Sequence, residues 1–476
     1  MEENKNQNNQ TRPPIVVVLG HVDHGKTTLL DAIRKTNVAG AEAGGITQAI
    51  GASVIEVPST GGINKKITFI DTPGHAAFTK MRSRGAKIAD IAVLVVAQDD
   101  GVAPQTKEAL QIIRDAKIPF LVAGTKADVV GVNVEALKGQ LEKEQVFFEG
   151  RGGDVPFFSV SAKIGTGIKE LLEMIILMSE VADLKGDPAA DLEGVVIESN
   201  KEKMGQVASV VVRNGSIKVG QTIFAEEVLC KVRGLFDDKG KTIREVLPGY
   251  PAKVIGFSLV PPVGARVGEN PEASSGSAPP KARGTFDLRR LREDEIPIII
   301  KASNAGALEA IIASIPPKII VVDNGVGEIN SSDVIAAKTG NAYIFSFESK
   351  IGSDVTKLAE AENVRLERFE IIYEFIQRLE EILKKGKIQE IGRANILASF
   401  PFNNKKVAGA KVVSGRITKG DTVVLLRNEK TIGKAKIVSI RKQKNEVASV
   451  GPSEEFGAIL EPQLDFGVGD VIVSIR

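Results

Sequence analysis

Between residues 15 and about 183, wholly apolar runs alternate with stretches in which apolar residues recur every three or four positions. Ile15-Val16-Val17-Val18-Leu19, Ile67-Thr68-Phe69-Ile70, Ile91 to Val96 and Pro119 to Ala123 carry few or no polar side chains. Such runs suit strands of a parallel sheet covered on both faces. Helical periods separate them, as from Gln105 to Asp115. The alternation predicts a doubly wound α/β domain over residues 14–183. The texture then changes. Short β-rich segments with glycine turns fill 194–267 and predict a small barrel. A Ser/Pro/Gly/Ala-rich stretch at 268–285 reads as a linker, and 286–366 return to α/β. Phe369, Ile372, Phe375, Ile376, Leu379, Ile382 and Leu383 follow helical spacing. Lys384 and Lys385 suit the negative end of that helix, and Gly386 its stop, so a long connecting helix is predicted over 367–386.

Residues 387–476 are β-rich again, and they echo the first barrel. Val211 to Thr222 and Lys411 to Thr422 align their Gly, Ile, Gly and Thr positions without a gap. Two related barrels are predicted, although two hairpins can share such a pattern by chance.

Composition narrows the class. In 476 residues with 43% apolar content, no run of 18 apolar residues occurs, so no membrane span is expected. The polar, Asn/Gln-rich stretch 1–13 reads as a disordered tail rather than a signal peptide. The single cysteine, Cys230, excludes a disulfide framework and a multi-cysteine metal site. A cytoplasmic protein is expected. Net charge is +2, but residues 387–476 hold 15 Lys/Arg against 9 Asp/Glu, a net of +6. The remainder is therefore at −4. A basic terminal domain suits an RNA partner; by charge alone, a Lys-rich solvated surface fits as well.

The candidate chemistry lies in the first domain. Gly20-His21-Val22-Asp23-His24-Gly25-Lys26-Thr27, followed by Thr28, fits the phosphate-loop pattern Gly-x-x-x-x-Gly-Lys-Thr between a strand and a helix. Backbone amides would cradle phosphates, Lys26 would neutralise the β and γ oxygens, and the Thr27 hydroxyl would ligate Mg²⁺. Asp71-Thr72-Pro73-Gly74 follows the strand ending at Ile70. Asp71 is placed to hold Mg²⁺ through water, and the Gly74 amide to sense a γ-phosphate. Thr47, in Gly44-Gly45-Ile46-Thr47, offers a second hydroxyl to the metal, released after hydrolysis. All three histidines, His21, His24 and His75, fall in these motifs. His75 is the candidate for orienting the attacking water. Thr125-Lys126-Ala127-Asp128 puts a carboxylate where it can accept from guanine N1 and N2. Ser161-Ala162-Lys163 supplies a backbone amide for O6. The set predicts a GTP/GDP-binding, Mg²⁺-dependent GTPase. A metabolic P-loop kinase would leave Asp128 and the barrels unexplained.

The phosphate-loop sequence together with Asp71-Thr72-Pro73-Gly74-His75 resembles the ribosome-associated translational GTPases. Within them the chain resembles the bacterial translation initiation factor two family. The resemblance is carried by Glu42 to Gln48, Asp71 to Thr79, Met81 to Ala86 and Asp99 to Thr106. It continues in Ile300-Lys301-Ala302, Val326 to Ile329, Ile371-Ile372-Tyr373 and Arg441 to Val447, and covers residue 14 to the end. It implies a GTPase domain, a barrel, an α/β domain, a long helix and a terminal barrel that holds formylmethionyl initiator tRNA. It also implies promotion of ribosomal subunit joining, GTP hydrolysis on the ribosome, contact with both subunits and other initiation factors, and a monomer off the ribosome. Arg441, Lys442, Gln443, Glu455, Phe456 and Gly457 are the implied tRNA contacts. An elongation or ribosome-assembly factor is the alternative. The family pattern is broken at Ala49 and at Thr125, where Asn is usual. Ala410 and Phe456 replace two pocket cysteines, and Gln443 an aromatic. The family's long N-terminal extension is expected to be missing.

Overall fold

The computed structural model describes residues 10–36, 47–58, 64–271, 292, 295–385, 390–402, 405–427, 430–443 and 445–475. It divides into two compact units, Met1–Gln377 and Arg378–Arg476. Among the described residues no helix is long and apolar enough to cross a membrane.

The first unit opens with a six-stranded sheet: Ile15–Gly20 (β1), Gly51–Val57 (β2), Lys65–Asp71 (β3), Ile91–Ala97 (β4), Phe120–Thr125 (β5) and Phe157–Ser159 (β6). Their order is β2-β3-β1-β4-β5-β6, with only the β2–β3 pair antiparallel. Every residue of β1 and β4 is buried, which is why both read as unbroken apolar runs. Helices Lys26–Arg34 (α1), Thr79–Ile88 (α2), Pro104–Ala116 (α3), Val134–Lys143 (α4) and Ile168–Val181 (α5) accompany the sheet. Pro104 opens α3, where its fixed φ and missing N–H cost nothing.

Six strands close the first barrel: Glu193–Glu202 (β7), Gly205–Asn214 (β8), Thr222–Ala225 (β9), Val228–Phe236 (β10), Pro251–Phe257 (β11) and Arg266–Gly268 (β12). The order is β9-β12-β7-β8-β11-β10, and β10 pairs back to β9. Asp90, 4% exposed, joins this barrel to the sheet: Arg12 reaches both its oxygens at 2.7 Å, the Ile15 amide donates at 2.8 Å, and Arg213 lies 3.4 Å away.

A four-stranded parallel sheet follows, built from Ile296–Ala302 (β13), Ile319–Val326 (β14), Tyr343–Phe347 (β15) and Leu366–Phe369 (β16) in the order β14-β13-β15-β16. Ala305–Ala313 (α6), Ser331–Gly340 (α7) and Ser353–Ala361 (α8) connect the strands. Ile372–Lys385 (α9) comes next.

In the second unit, Glu390–Phe402 (β17), Lys405–Gly415 (β18), Thr422–Arg427 (β19), Lys430–Lys442 (β20), Glu455–Glu461 (β21) and Val471–Ile475 (β22) close another barrel. Their order, β19-β22-β17-β18-β21-β20 with β20 returning to β19, repeats that of the first. The aligned glycines have matching backbones: Gly215 and Gly415 both have φ +68, while Gly220 and Gly420 have +90 and +96. Left-handed geometry at both places explains why glycine recurs there.

The fold class is the expected one, with local differences. The tail reading extends too far: Gln10–Thr11 pair with Lys185–Gly186, and Arg12 is buried against Asp90. An Asn/Gln-rich stretch carries no apolar signal, so backbone pairing at its end was invisible in the pattern. Residues 1–9 lie outside the described residues, as do 272–285 of the linker; Gly268 itself pairs with Phe224. The connecting helix starts at Ile372 rather than 367, because Phe369 pairs in parallel with Phe347 at the sheet edge. Gly386 lies outside the described residues.

Candidate functional site

The phosphate loop leaves β1 at Gly20, where a Cβ would lie 2.3 Å from the Val95 carbonyl oxygen. Asp23 (φ +60) and Gly25 (φ +81) are left-handed and turn the loop into the start of α1. Three supports hold it. The Val22 amide donates to Gln105 Oε1 at 2.9 Å, and the Thr125 hydroxyl donates to the His24 carbonyl at 2.6 Å. His24 Nδ1 accepts from the Ala97 amide at 3.2 Å, which leaves the proton on Nε2, 3.0 Å from Asp100. Burial lowers the His24 pKa against the pull of Asp100, so this imidazole is a neutral strut.

Lys26 points into the loop and donates to the His21 carbonyl. Burial pushes its ammonium down to about 8, against the pull of Asp71. The Thr27 and Thr47 hydroxyls are 2.6 Å apart. Asp71, the third residue expected at Mg²⁺, is buried and close enough to Lys26 to act on its charge; hydroxyl and carboxylate oxygens are the donors that ion prefers. Gly74 packs so closely that a Cβ would sit 2.6 Å from Lys26 Nζ. His75 Nδ1 accepts from the Ala77 amide at 2.9 Å. Burial, then the Arg82 charge, lower its pKa, so the neutral ring carries its proton on Nε2.

Asp128 Oδ1 accepts from the Ser161 hydroxyl at 2.6 Å, which with backbone donation holds its carboxyl below the usual range. Ser161 is fully buried, so it fixes the carboxylate rather than touching a ligand. One cavity of about 410 Å³ is lined by Val22, Asp23, Gly25, Lys26, Thr27, Thr28, Thr47, Gly74, His75, Thr125, Lys126, Asp128, Ala162 and Lys163. Gly20, His21, His24, Asp71, Thr72, Pro73 and Ser161 are not among the residues that line it. Thr125 needs a different account from its expected contact with the base: its hydroxyl is turned to the phosphate loop.

Residues quoted in the motifs but given no role turn out to be supports. Asp100 and Gln105 brace the phosphate loop. Arg82, 1% exposed, donates to the carbonyls of Pro73 and His75 and pairs with Glu108. An arginine at helical spacing gives no local sign that it will be buried.

In the second unit a cavity of about 910 Å³ gathers Arg441, Lys442, Gln443, Glu455, Phe456 and Gly457 with Leu397, Phe400 and Ala410. Ala410 and Phe456 pair directly across β18 and β21 and belong to the barrel core. A large ring opposite a small methyl fills the interior, which accounts for their occurring together.

Residues 11–180 match the family described as "Elongation factor Tu GTP binding domain", 191–270 "Elongation factor G domain 2", and 285–380 "Translation-initiation factor 2". The chain is 40% identical to translation initiation factor IF-2 of Caldanaerobacter subterraneus subsp. tengcongensis, over 97% of this chain and 69% of that one. With the same factor of Halothermothrix orenii it shares 40% over 99% and 72%. The crystal structure of GDP-bound aIF5B from Aeropyrum pernix is 24% identical at a TM-score of 0.44, covering 98% and 92%. With a phosphate-loop sequence leading into α1 and 40% identity to curated relatives over nearly all of its own length, the chain is a translational GTPase and belongs to the translation initiation factor IF-2 family.

Proposed function

We propose that the protein binds GTP at the 410 Å³ cavity, carries formylmethionyl initiator tRNA on its terminal barrel, and hydrolyses GTP on the ribosome as the subunits join. The observation that carries the hydrolytic part is the convergence of Lys26, Thr27, Thr47, His75 and Asp128 on one cavity. Asp128 accepts from the guanine N1 and N2 donors while Ser161 holds it in place. Lys26 and the loop amides take the phosphate charge. The Thr27 and Thr47 hydroxyls and Asp71 would hold Mg²⁺, which would supply positive charge to offset that of the phosphates. His75, with its proton on Nε2 and Nδ1 engaged, serves as a donor that orients the attacking water rather than as the base that takes its proton.

The tRNA part is supported by six implied contact residues lining one cavity in a domain of net charge +6. Both subunits of a cytoplasmic ribosome and the other initiation factors are the partners of this reading. The test uses the full chain, ribosomal subunits and a non-hydrolysable GTP analogue. Formylmethionyl-tRNA should be retained with the subunits in preference to uncharged tRNA, and His75→Ala should bind GTP normally but hydrolyse it slowly. Equal retention of both tRNAs would refute the cargo assignment; wild-type turnover in His75→Ala would refute the catalytic one.

A further inference from the structure

We infer that Tyr373 is a positioning residue for hydrolysis, holding the His75 imidazole at the wall of the nucleotide cavity. This rests on the role given to His75 above. Tyr373 is the second residue of α9, which starts 104 residues after the first barrel ends, yet its ring meets His75 edge to face with centroids 4.1 Å apart at 76°. Phe78 also meets the imidazole edge to face, at 6.0 Å. With Nδ1 fixed on the Ala77 amide, the ring is held at one nitrogen and by contact with two aromatic groups. Tyr373 is also close enough to the phosphate loop that the Asp23 carboxylate, after burial, raises its phenol pKa. An aromatic ring 49% exposed is thus placed between the loop and the catalytic candidate instead of in a core.

A second contact fixes the start of α9. Gln48, 4% exposed, follows Thr47 directly. Its Nε2 donates to the Glu370 carbonyl at 2.6 Å and to Glu348 Oε1 at 2.9 Å, and its Oε1 accepts from the Ile372 amide at 3.2 Å. One amide side chain therefore ties the segment that carries the metal-binding hydroxyl to the residues immediately before Tyr373. Ile372 is fully buried, and Phe375 packs edge to face on Phe345 and Phe369. The first turn of α9 has a fixed seat, and Tyr373 projects from it onto His75.

The experiment is single-turnover GTP hydrolysis by the full chain on ribosomes, at saturating GTP, alongside equilibrium GTP binding. Tyr373→Ala should slow hydrolysis about tenfold or more, as misplaced groups do, with GTP affinity little changed. Tyr373→Phe, which keeps the ring, should retain most of the rate. Tyr373→Leu covers the case in which the alanine variant fails to fold. In a His75→Ala background Tyr373→Ala should add no further loss. The His75 NMR titration should move up towards its ordinary value when the tyrosine is removed. Wild-type hydrolysis by His75→Ala would overturn the underlying role of His75. A slow His75→Ala with a fast Tyr373→Ala, an additive double variant, or an unmoved His75 titration would overturn the positioning role alone.

Discussion

Thr125 Oγ1 donates to the His24 carbonyl over 2.6 Å, so a residue expected at the base tethers the phosphate loop to the end of β5. Thr125 is 3% exposed, and removing its hydroxyl strands a carbonyl in a dry setting. Thr125→Val, nearly isosteric, should cost about 1–3 kcal/mol of stability. It should also speed nucleotide release while leaving the preference for guanine intact. Chemical denaturation and fluorescent-GDP dissociation measure these; a shift in base preference would return Thr125 to the base.

Asp128 is the residue that should decide the base. In Asp128→Asn the acceptor facing the 2-position becomes a donor. GTP affinity should fall about 10- to 100-fold, the worth of one hydrogen bond to a charged group. Xanthosine triphosphate should bind better than GTP. Competition binding reads both, and unchanged GTP affinity would remove Asp128 from the site.

Much of this was legible in the chain. The strands β1, β3, β4 and β5 are visible because a sheet covered on both faces leaves no room for polar alternation. The phosphate-loop residues are visible because each answers a local demand: a tight turn, a charge, a hydroxyl. Arg12, Arg82 and Gln48 were not legible, since their partners Asp90, Glu108 and Glu370 are far off in sequence or carry no pattern. Polar residues buried by long-range pairing look like surface residues until the fold exists. Helix periodicity also failed at Phe369, which has the right spacing but joins a sheet edge.

Glu198 should give the first unit a measurable pH dependence. It sits in β7, with Oε1 accepting from the Ser199 amide at 2.8 Å and from Gly306, near the start of α6, at 3.2 Å. Burial, with the nearby Glu348 charge adding to it, raises its pKa to about 7. The folded state then binds a proton that the unfolded chain releases above about 4.3. Stability should therefore fall as pH rises from that value to about 7, by about 3–4 kcal/mol, and level off above. Glu198→Gln should flatten this slope and be the more stable protein at pH 8. Thermal melts across the range check it; the same slope in both proteins would assign the dependence elsewhere.

Phe456 tests the core of the second barrel. Its ring is 4% exposed and opposes Ala410 across the strands. Phe456→Ala should cost about 3–5 kcal/mol, the usual result of emptying an aromatic site, and Ala410→Cys in the same background should recover part of it. Calorimetry on the full chain measures both. A loss below about 1 kcal/mol would mean that the ring is not part of the packed core.

The bonds around Asp90 and Lys185 impose an order on synthesis. Arg12 leaves the ribosome long before Asp90 exists, Gln10–Thr11 must wait for Lys185–Gly186, and Arg213 arrives last from the neighbouring barrel. The earliest residues of the GTPase core are thus among the last to be secured. A nascent chain stopped before Lys185 would hold the complete nucleotide-binding sequence while Gln10–Thr11 were still unpaired, and their pairing would coincide with emergence of the next domain.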